Sequence, residues 1–369
     1  MKNKIDFFQI ISLSVAIIIL SLIFAVLPDK EISDKENRTL ANFPSITVDN
    51  ILSGKFSQQF SSYIADQFPF RDTFVSAKAQ IELLLGKREN SGVIKAKNDI
   101  LIPKSDADIS KLNSNLMYIS NFSEKTSSNV TIVALPRSID VFNEFLPKSY
   151  PYDYEENLWR EFNLSLNRLK LDSVSVFDEL CDNNLYYRTD HHFTSDGAYA
   201  VYKILADKLG YTAYKSDFFE KKIVASDFCG TSMRKSGFYS VKKDIISVYT
   251  YKNDDKYIIN ADGKAISLYD FDKLNTTDKY SMFLGGNHAR VDIKSSGNPR
   301  EQLLVIRDSF ADSLAPFLAL HYDLIYIDLR YYNKSATELI RNERINNVLF
   351  FESIEEFSNS QNFSKLMIE

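Results

Sequence analysis

Four histidines occur in the 369-residue chain, and two are adjacent, in Arg188-Thr189-Asp190-His191-His192-Phe193-Thr194. A carboxylate two residues before an imidazole, on a loop entering a helix, can reach one ring nitrogen. There it accepts a hydrogen bond, fixes the tautomer and stabilises the imidazolium. The other nitrogen is left to take a proton from a hydroxyl. Ser309 fits that need. It stands in Leu303-Leu304-Val305-Ile306-Arg307-Asp308-Ser309-Phe310, where a buried strand ends and a helical pattern begins. Such a serine sits at the carboxyl edge of a sheet. It also sits at a helix N-terminus, whose open N–H groups and dipole favour an anion, as a tetrahedral oxyanion requires. Asp190, His192 and Ser309 thus read as orienting carboxylate, general base and nucleophile of an acyl transfer. Taken singly, each has a plainer reading. Ser309 alone is a helix N-cap, and His191-His192 alone is a structural pair or a metal site. The combination carries the chemistry, because one mechanism requires both halves.

The elements that must hold these residues follow from hydrophobic patterning. Thr131–Leu135, Val174–Phe177, Leu303–Ile306, Ile325–Leu329 and Val348–Phe351 are short apolar runs bounded by polar loops. Near-continuous apolar strands predict a mostly parallel sheet covered on both faces, hence an α/β fold. Helical patterns alternate with them at Glu155–Leu169, Ser195–Leu209 closed by Gly210, Ser309–Leu320 and Ala336–Arg341. The stretch 227–292 is rich in tyrosine, β-formers and turn residues, and reads as an antiparallel insertion.

Upstream, Ile51, Leu52, Phe56, Phe60, Tyr63 and Ile64 fall at helical spacing. Pro69 interrupts, and a second helix is expected from Arg71 to Leu85, stopping at Gly86. Lys2 and Lys4 precede an apolar run from Phe7 to Leu27. At about 1.5 Å per residue a helix of that length crosses a hydrocarbon core of about 30 Å. No small-x-small cleavage site follows, so the run reads as an uncleaved signal anchor with the lysines inside; a cleaved signal peptide is the other reading. The expected organisation is a cytoplasmic tip and transmembrane anchor over 1–30, a tether with N-terminal helices over 31–90, and the main domain over 91–369.

Net charge is −5, so there is no basic field for nucleic acid. Cys181 and Cys229 permit one disulfide outside the cytoplasm or two free thiols. Neither has the neighbours of a zinc site, and no cofactor or metal is expected.

The motifs together resemble the DHHW proteins, relatives of the alginate acetylation proteins within the SGNH hydrolase superfamily. Asp190-His191-His192-Phe193 matches the Asp-His-His-Trp signature, with Phe193 in the tryptophan's place. Ile306-Arg307-Asp308-Ser309-Phe310, followed by Ser313, Pro316 and Phe317, matches the nucleophile block. Asp328-Leu329-Arg330-Tyr331-Tyr332 matches the block after it. Glu36-Asn37-Arg38 with Phe43-Pro44, and Asp66-Gln67-Phe68-Pro69-Phe70-Arg71-Asp72, match the N-terminal segments. The resemblance implies an SGNH/flavodoxin-like three-layer domain whose motif order is permuted, since Asp190 and His192 precede Ser309.

It also implies a role in exopolysaccharide acetylation, as an O-acetyltransferase or acetylesterase on the outer side of the membrane. A membrane O-acyltransferase would supply the acetyl groups and a polysaccharide would be the substrate. On this reading the strand ending in Leu135-Pro136-Arg137 replaces the usual Asn block, and Arg330 stands near the usual Gly block. Arg330, or a backbone N–H at Ser309 or Phe310, would serve as oxyanion donor; a surface ion pair is the plainer role of Arg330. Tyr331 and Tyr332 are either a sugar platform or packing residues. His191 is read as structural, and His288 as a feature of the turn Gly285-Gly286-Asn287-His288 that lines the site or merely shapes a loop. Two other classes compete. One is a non-catalytic polysaccharide-binding or scaffold protein. The other is a metal-dependent phosphoesterase of the Asp-His-His type, for which Asp106, Asp108 and His288 would be further ligands.

Overall fold

A computed structural model describes residues 2–33, 38–148, 150, 153–181, 185–253 and 256–368. The chain divides into two compact units, Met1–Lys87 with Gly237–Ser240, and Arg88–Ser236 with Val241–Glu369. The first contains a helix, Lys2–Val26, whose segment Phe7–Val26 is long and apolar enough to cross a membrane by length and composition. Two amphipathic helices follow at Lys55–Gln67 and Arg71–Leu84. Glu36 and Asn37 of the Glu36-Asn37-Arg38 block lie outside the described residues.

The second unit is mixed α/β, built on a seven-stranded sheet. Its strands, in chain order, are β1 (Asn129–Leu135), β2 (Tyr257–Ala261), β3 (Lys264–Ala265), β4 (Arg290–Ser295), β5 (Glu301–Arg307), β6 (Tyr322–Ile327) and β7 (Asn347–Ser353). The spatial order is β3-β2-β4-β6-β5-β7-β1. The β6-β5-β7-β1 half pairs in parallel, and β4, β2 and β3 extend it antiparallel. Strand periodicity explains why the parallel strands read as unbroken apolar runs. Leu303 and Val305 enter one core layer, Leu304 and Ile306 the other, and all four are fully buried. Burying each such side chain contributes roughly 1.5–3 kcal/mol. Helix Ser195–Leu209 covers one face with Ala198, Val201, Tyr202 and Leu205. Helices Ile109–Lys125 and Asp153–Leu169 cover the other.

Three expectations are corrected. Val174–Phe177 is not a strand. Ser173 makes an isolated bridge to Ile132, and two backbone hydrogen bonds, Ile132 N–H to Asp172 and Val174 N–H to Ile132, blunt the edge strand β1 before a short helix starts at Phe177. Ser309–Leu320 is not one helix but a 3-10 turn, Ser309–Ser313, followed by a single helical turn, Ala315–Leu318. Pro316 has no N–H to continue the first turn and is suited to the opening of the second. The stretch 227–292 is not one antiparallel insertion. A separate hairpin, Phe219–Phe228 with Asp244–Tyr251, begins before it, while β2, β3 and the start of β4 belong to the main sheet.

Candidate active site

Parallel strands end on one edge of the sheet, and ligand sites in such folds lie outside those carboxyl ends. Here a cavity of about 510 Å³ occupies that edge. Arg137 follows β1, Ser309 follows β5, Arg330 follows β6, and Ser353 ends β7; all four line it. His191 lines it from the loop that leads into helix Ser195–Leu209.

That loop is tightly held. Tyr187 N–H donates to the His192 carbonyl, Thr194 N–H to the Leu185 carbonyl, and the Thr194 side chain caps the helix by accepting from Gly197 N–H. Asp190 is 1% exposed. Its Oδ1 lies 2.6 Å from His192 Nδ1 and accepts from His192 N–H; its Oδ2 accepts from Thr231 N–H at 2.6 Å. His192 Nε2 lies 2.8 Å from Ser309 Oγ. The three side chains form a continuous carboxylate–imidazole–hydroxyl line, although His192 and Ser309 stand 117 positions apart in the chain. Burial works to raise the Asp190 pKa. The nearby His191 and His192 charges and the hydrogen bonds from His192 and Thr231 outweigh it, holding the carboxyl well below its ordinary range.

The stretch 227–292 supplies supports that sequence reasoning missed. Gly230 N–H donates to Thr189 Oγ1, and the Asp244 carboxylate accepts from Thr189 N–H and Oγ. A Cβ on Gly230 would fall 2.3 Å from the Thr189 carbonyl oxygen and 2.4 Å from Asp190 Cβ, so only glycine permits this approach. Tyr280 lies flat on the His192 ring, centroids 3.8 Å apart and planes 10° apart, and its hydroxyl donates toward the Ser309 carbonyl and Ser313 Oγ at 3.3 Å. His191 also packs against the His192 ring, centroids 3.9 Å apart and planes tilted by 36°. Burial, then the His192 charge, lowers the His191 pKa to about 4. The only local hint of these supports was a glycine beside Thr231 at the start of a short helix; nothing in spacing links Tyr280 to His192.

Asp308, not Ser309, is the N-cap. Its Oδ1 accepts from Phe310 N–H at 3.0 Å and its Oδ2 from Ser353 N–H at 2.8 Å, tying the serine turn to the end of β7. Phe310 N–H is thereby taken, whereas Ser309 N–H makes no hydrogen bond among the described residues. Beneath the turn runs a line of alternating charge. Fully buried Arg307 lies 3.1 Å from Asp312 and 3.8 Å from Asp328, and Asp328 holds Arg330 through a bidentate contact at 2.6 and 2.9 Å. Burial pushes Asp312 up to about 7, against the pull of Arg307. Paired charges of this kind tolerate burial, whereas removing one partner is strongly destabilising.

Other predicted residues fall elsewhere. Tyr332 is buried in the core and Tyr331 is exposed beside Arg330; neither lines the cavity. His288 does not line it either; its Nε2 lies 3.0 Å from the Leu284 carbonyl in its own turn. Asp108 caps helix Ile109–Lys125 by accepting from Lys111 N–H. Among the described residues only Asp190, His191 and His192 form a group of three with ligand-capable atoms within 4.8 Å of one another, and both ring nitrogens of His192 already face Asp190 and Ser309. Cys181 and Cys229 are free thiols, not a disulfide, and burial pushes Cys181 up to about 11.

No curated protein matches the chain. Among solved structures, a DHHW family protein from Eubacterium siraeum is similar with a TM-score of 0.65 and 19% identity, covering 76% of this chain and 97% of that one. PatB1 of Bacillus cereus, solved with a sulfonyl adduct, gives 0.62 and 19%, covering 74% and 97%. The O-acetyltransferase domain of AlgJ from Pseudomonas putida gives 0.50 and 13%, covering 74% and 94%. At such identities these are likenesses of fold. A family model described as DHHW protein matches residues 170–328, the stretch that includes Asp190, His192 and Ser309. The chain carries a DHHW family domain.

Proposed function

We propose that this protein is a serine-dependent O-acetyltransferase or acetylesterase acting on polysaccharide outside the cell membrane. The observation that carries the reading is the relay itself, with Asp190 2.6 Å and Ser309 2.8 Å from the two ring nitrogens of His192. Likeness to the O-acetyltransferase domain of AlgJ supports the same chemistry. As Ser309 Oγ attacks the acetyl carbonyl, its proton passes to His192 Nε2 and the carbonyl oxygen becomes an oxyanion. Collapse of that intermediate breaks the acetyl–oxygen bond of the donor. His192 returns the proton to the leaving oxygen, and acetyl-Ser309 remains. An acceptor sugar hydroxyl, or water, then attacks under the same base. Asp190 holds the imidazole and stabilises its cation, and Tyr280 fixes the ring plane. Ser309 N–H is the backbone donor best suited to the oxyanion, with Arg330 facing the same cavity.

On this reading residues 91–369 form an SGNH-type domain with permuted motif order, and the N-terminal helix anchors it to the membrane with the domain outside. A membrane O-acyltransferase is the proposed source of acetyl groups. A fluorophosphonate probe tests the reading: it should label the wild-type protein at Ser309 and leave Ser309→Ala unlabelled. Polysaccharide binding with no labelling of the wild type would leave a non-catalytic binding protein instead.

A further inference from the structure

The helix Lys55–Gln67 carries Phe56, Phe60, Tyr63 and Ile64 at i, i+4, i+7 and i+8, one apolar stripe, against uncharged polar residues such as Ser57, Gln58 and Ser62. The stripe is continuous. Phe56 stacks on Phe60 at 5.6 Å, Phe60 on Tyr63 at 6.2 Å, and Tyr63 meets Phe24 of the apolar N-terminal helix edge-on at 5.8 Å. Polar contacts clamp the same end: Tyr63 OH donates to Asp29, and Gln67 exchanges hydrogen bonds with the Lys30 backbone. Within Phe7–Val26 only Leu20, Ile23 and Phe24 are partly covered; every other position is exposed. Leu20 lies about 9 Å along the helix axis from Val26. The stripe therefore meets the membrane helix inside its last two turns, at the level where hydrocarbon gives way to headgroups. Beside it Phe43, packed on Tyr63 at 5.3 Å, is still 52% exposed, and Ile46, Val48, Ile51 and Leu52 are 54–81% exposed.

Aromatic rings concentrate at membrane–water interfaces, and amphipathic helices lie there with the apolar side down. We propose that the segment Phe43–Gln67 lies in the headgroup layer of the leaflet where the N-terminal helix ends, a second contact with lipid besides the span itself. This rests on reading Phe7–Val26 as a membrane span. The occupant of the exposed apolar side is phospholipid, because that side is continuous with the apolar N-terminal helix through Phe24 and Tyr63.

The test uses the full chain in phospholipid vesicles that contain an acyl-chain diazirine lipid, with adducts mapped by peptide mass spectrometry. Lipid adducts should fall on peptides from 43–67 as well as 7–26, and several-fold less on residues 88–369. Phe56→Gln with Phe60→Gln should reduce adducts in 43–67 and leave those in 7–26 unchanged. Adducts in 7–26 with none in 43–67 would overturn the proposal, including the case where another protein covers the segment. Adducts in neither would remove the membrane span and the proposal with it.

Discussion

Two histidines stand at opposite ends of the same parallel strands, and both are packed by tyrosine. His192, at the carboxyl edge, lies under the ring of Tyr280. His321, just before β6, stacks with Tyr211 at 4.4 Å and Tyr214 at 5.3 Å, and its Nε2 lies 2.7 Å from the Tyr202 hydroxyl. Aromatic packing is common to both, so packing alone does not make a base. His192 has a buried carboxylate on one nitrogen and an aliphatic hydroxyl on the other. Among the described residues His321 has no carboxylate within ion-pair distance; burial, then the Arg300 charge, lowers its pKa to about 4. The first arrangement can move a proton reversibly. The second locks a neutral ring into a tyrosine cluster.

The largest effect should come from removing the hydroxyl. Ser309→Ala in the full chain should lower acetyl-ester hydrolysis by more than about 10⁴-fold, and Asp190→Ala by about 10³-fold, as measured with a chromogenic acetyl ester. Near-wild-type rates in either would erase the distinction between the two histidines. Gly230→Ala comes next. Its methyl would collide with Thr189 and Asp190, so it should cost about 1–3 kcal/mol of stability and displace the Asp190 loop. Activity should fall more than denaturant midpoint alone explains.

Tyr280→Leu should then lower turnover by about 10-fold, because a tilted imidazole misaims its proton. Tyr280→Phe keeps the ring and should retain most activity, with about 1 kcal/mol lost from the hydroxyl contacts. Equal turnover in Leu and Phe variants would show the stack to be mere packing. The smallest catalytic effect belongs to His321→Phe, which should leave turnover unchanged and alter only stability. The unfolded His321 binds a proton near 6.5, the folded one only near 4. Acidification through that window therefore favours unfolding, and the contribution is complete above it. Melting scans at pH 6.5 and pH 4 should show the wild type losing more stability than His321→Phe.

The strands β1, β5, β6 and β7, and helices such as Ser195–Leu209 with its Thr194 and Gly210 caps, were legible because apolar periodicity and capping chemistry act over a few residues. Asp190, His192 and Ser309 could be picked out for a related reason: a carboxylate two positions from an imidazole, and a serine at a strand end, are local patterns with one joint use. The break after Ser313 was signalled by Pro316 yet overridden by the apolar run around it. Val174–Phe177 looked like a strand because Val174 and Val176 are drawn into the core as strand residues are, while regular pairing with β1 goes no further than the Ser173–Ile132 bridge.

What the amino-acid sequence determined by itself, then, was which groups could do chemistry and which edge of the sheet would carry the serine. Only tertiary structure decided that Thr231 and Asp244 would pin the carboxylate loop, that Tyr280 would lie on the imidazole, and that His288, Tyr331 and Tyr332 would stay away from the cavity. These contacts join residues about 40 to 90 positions apart, and nothing in the neighbouring residues encodes them; they follow from how the hairpin and the extended sheet edge pack, which depends on the whole core at once.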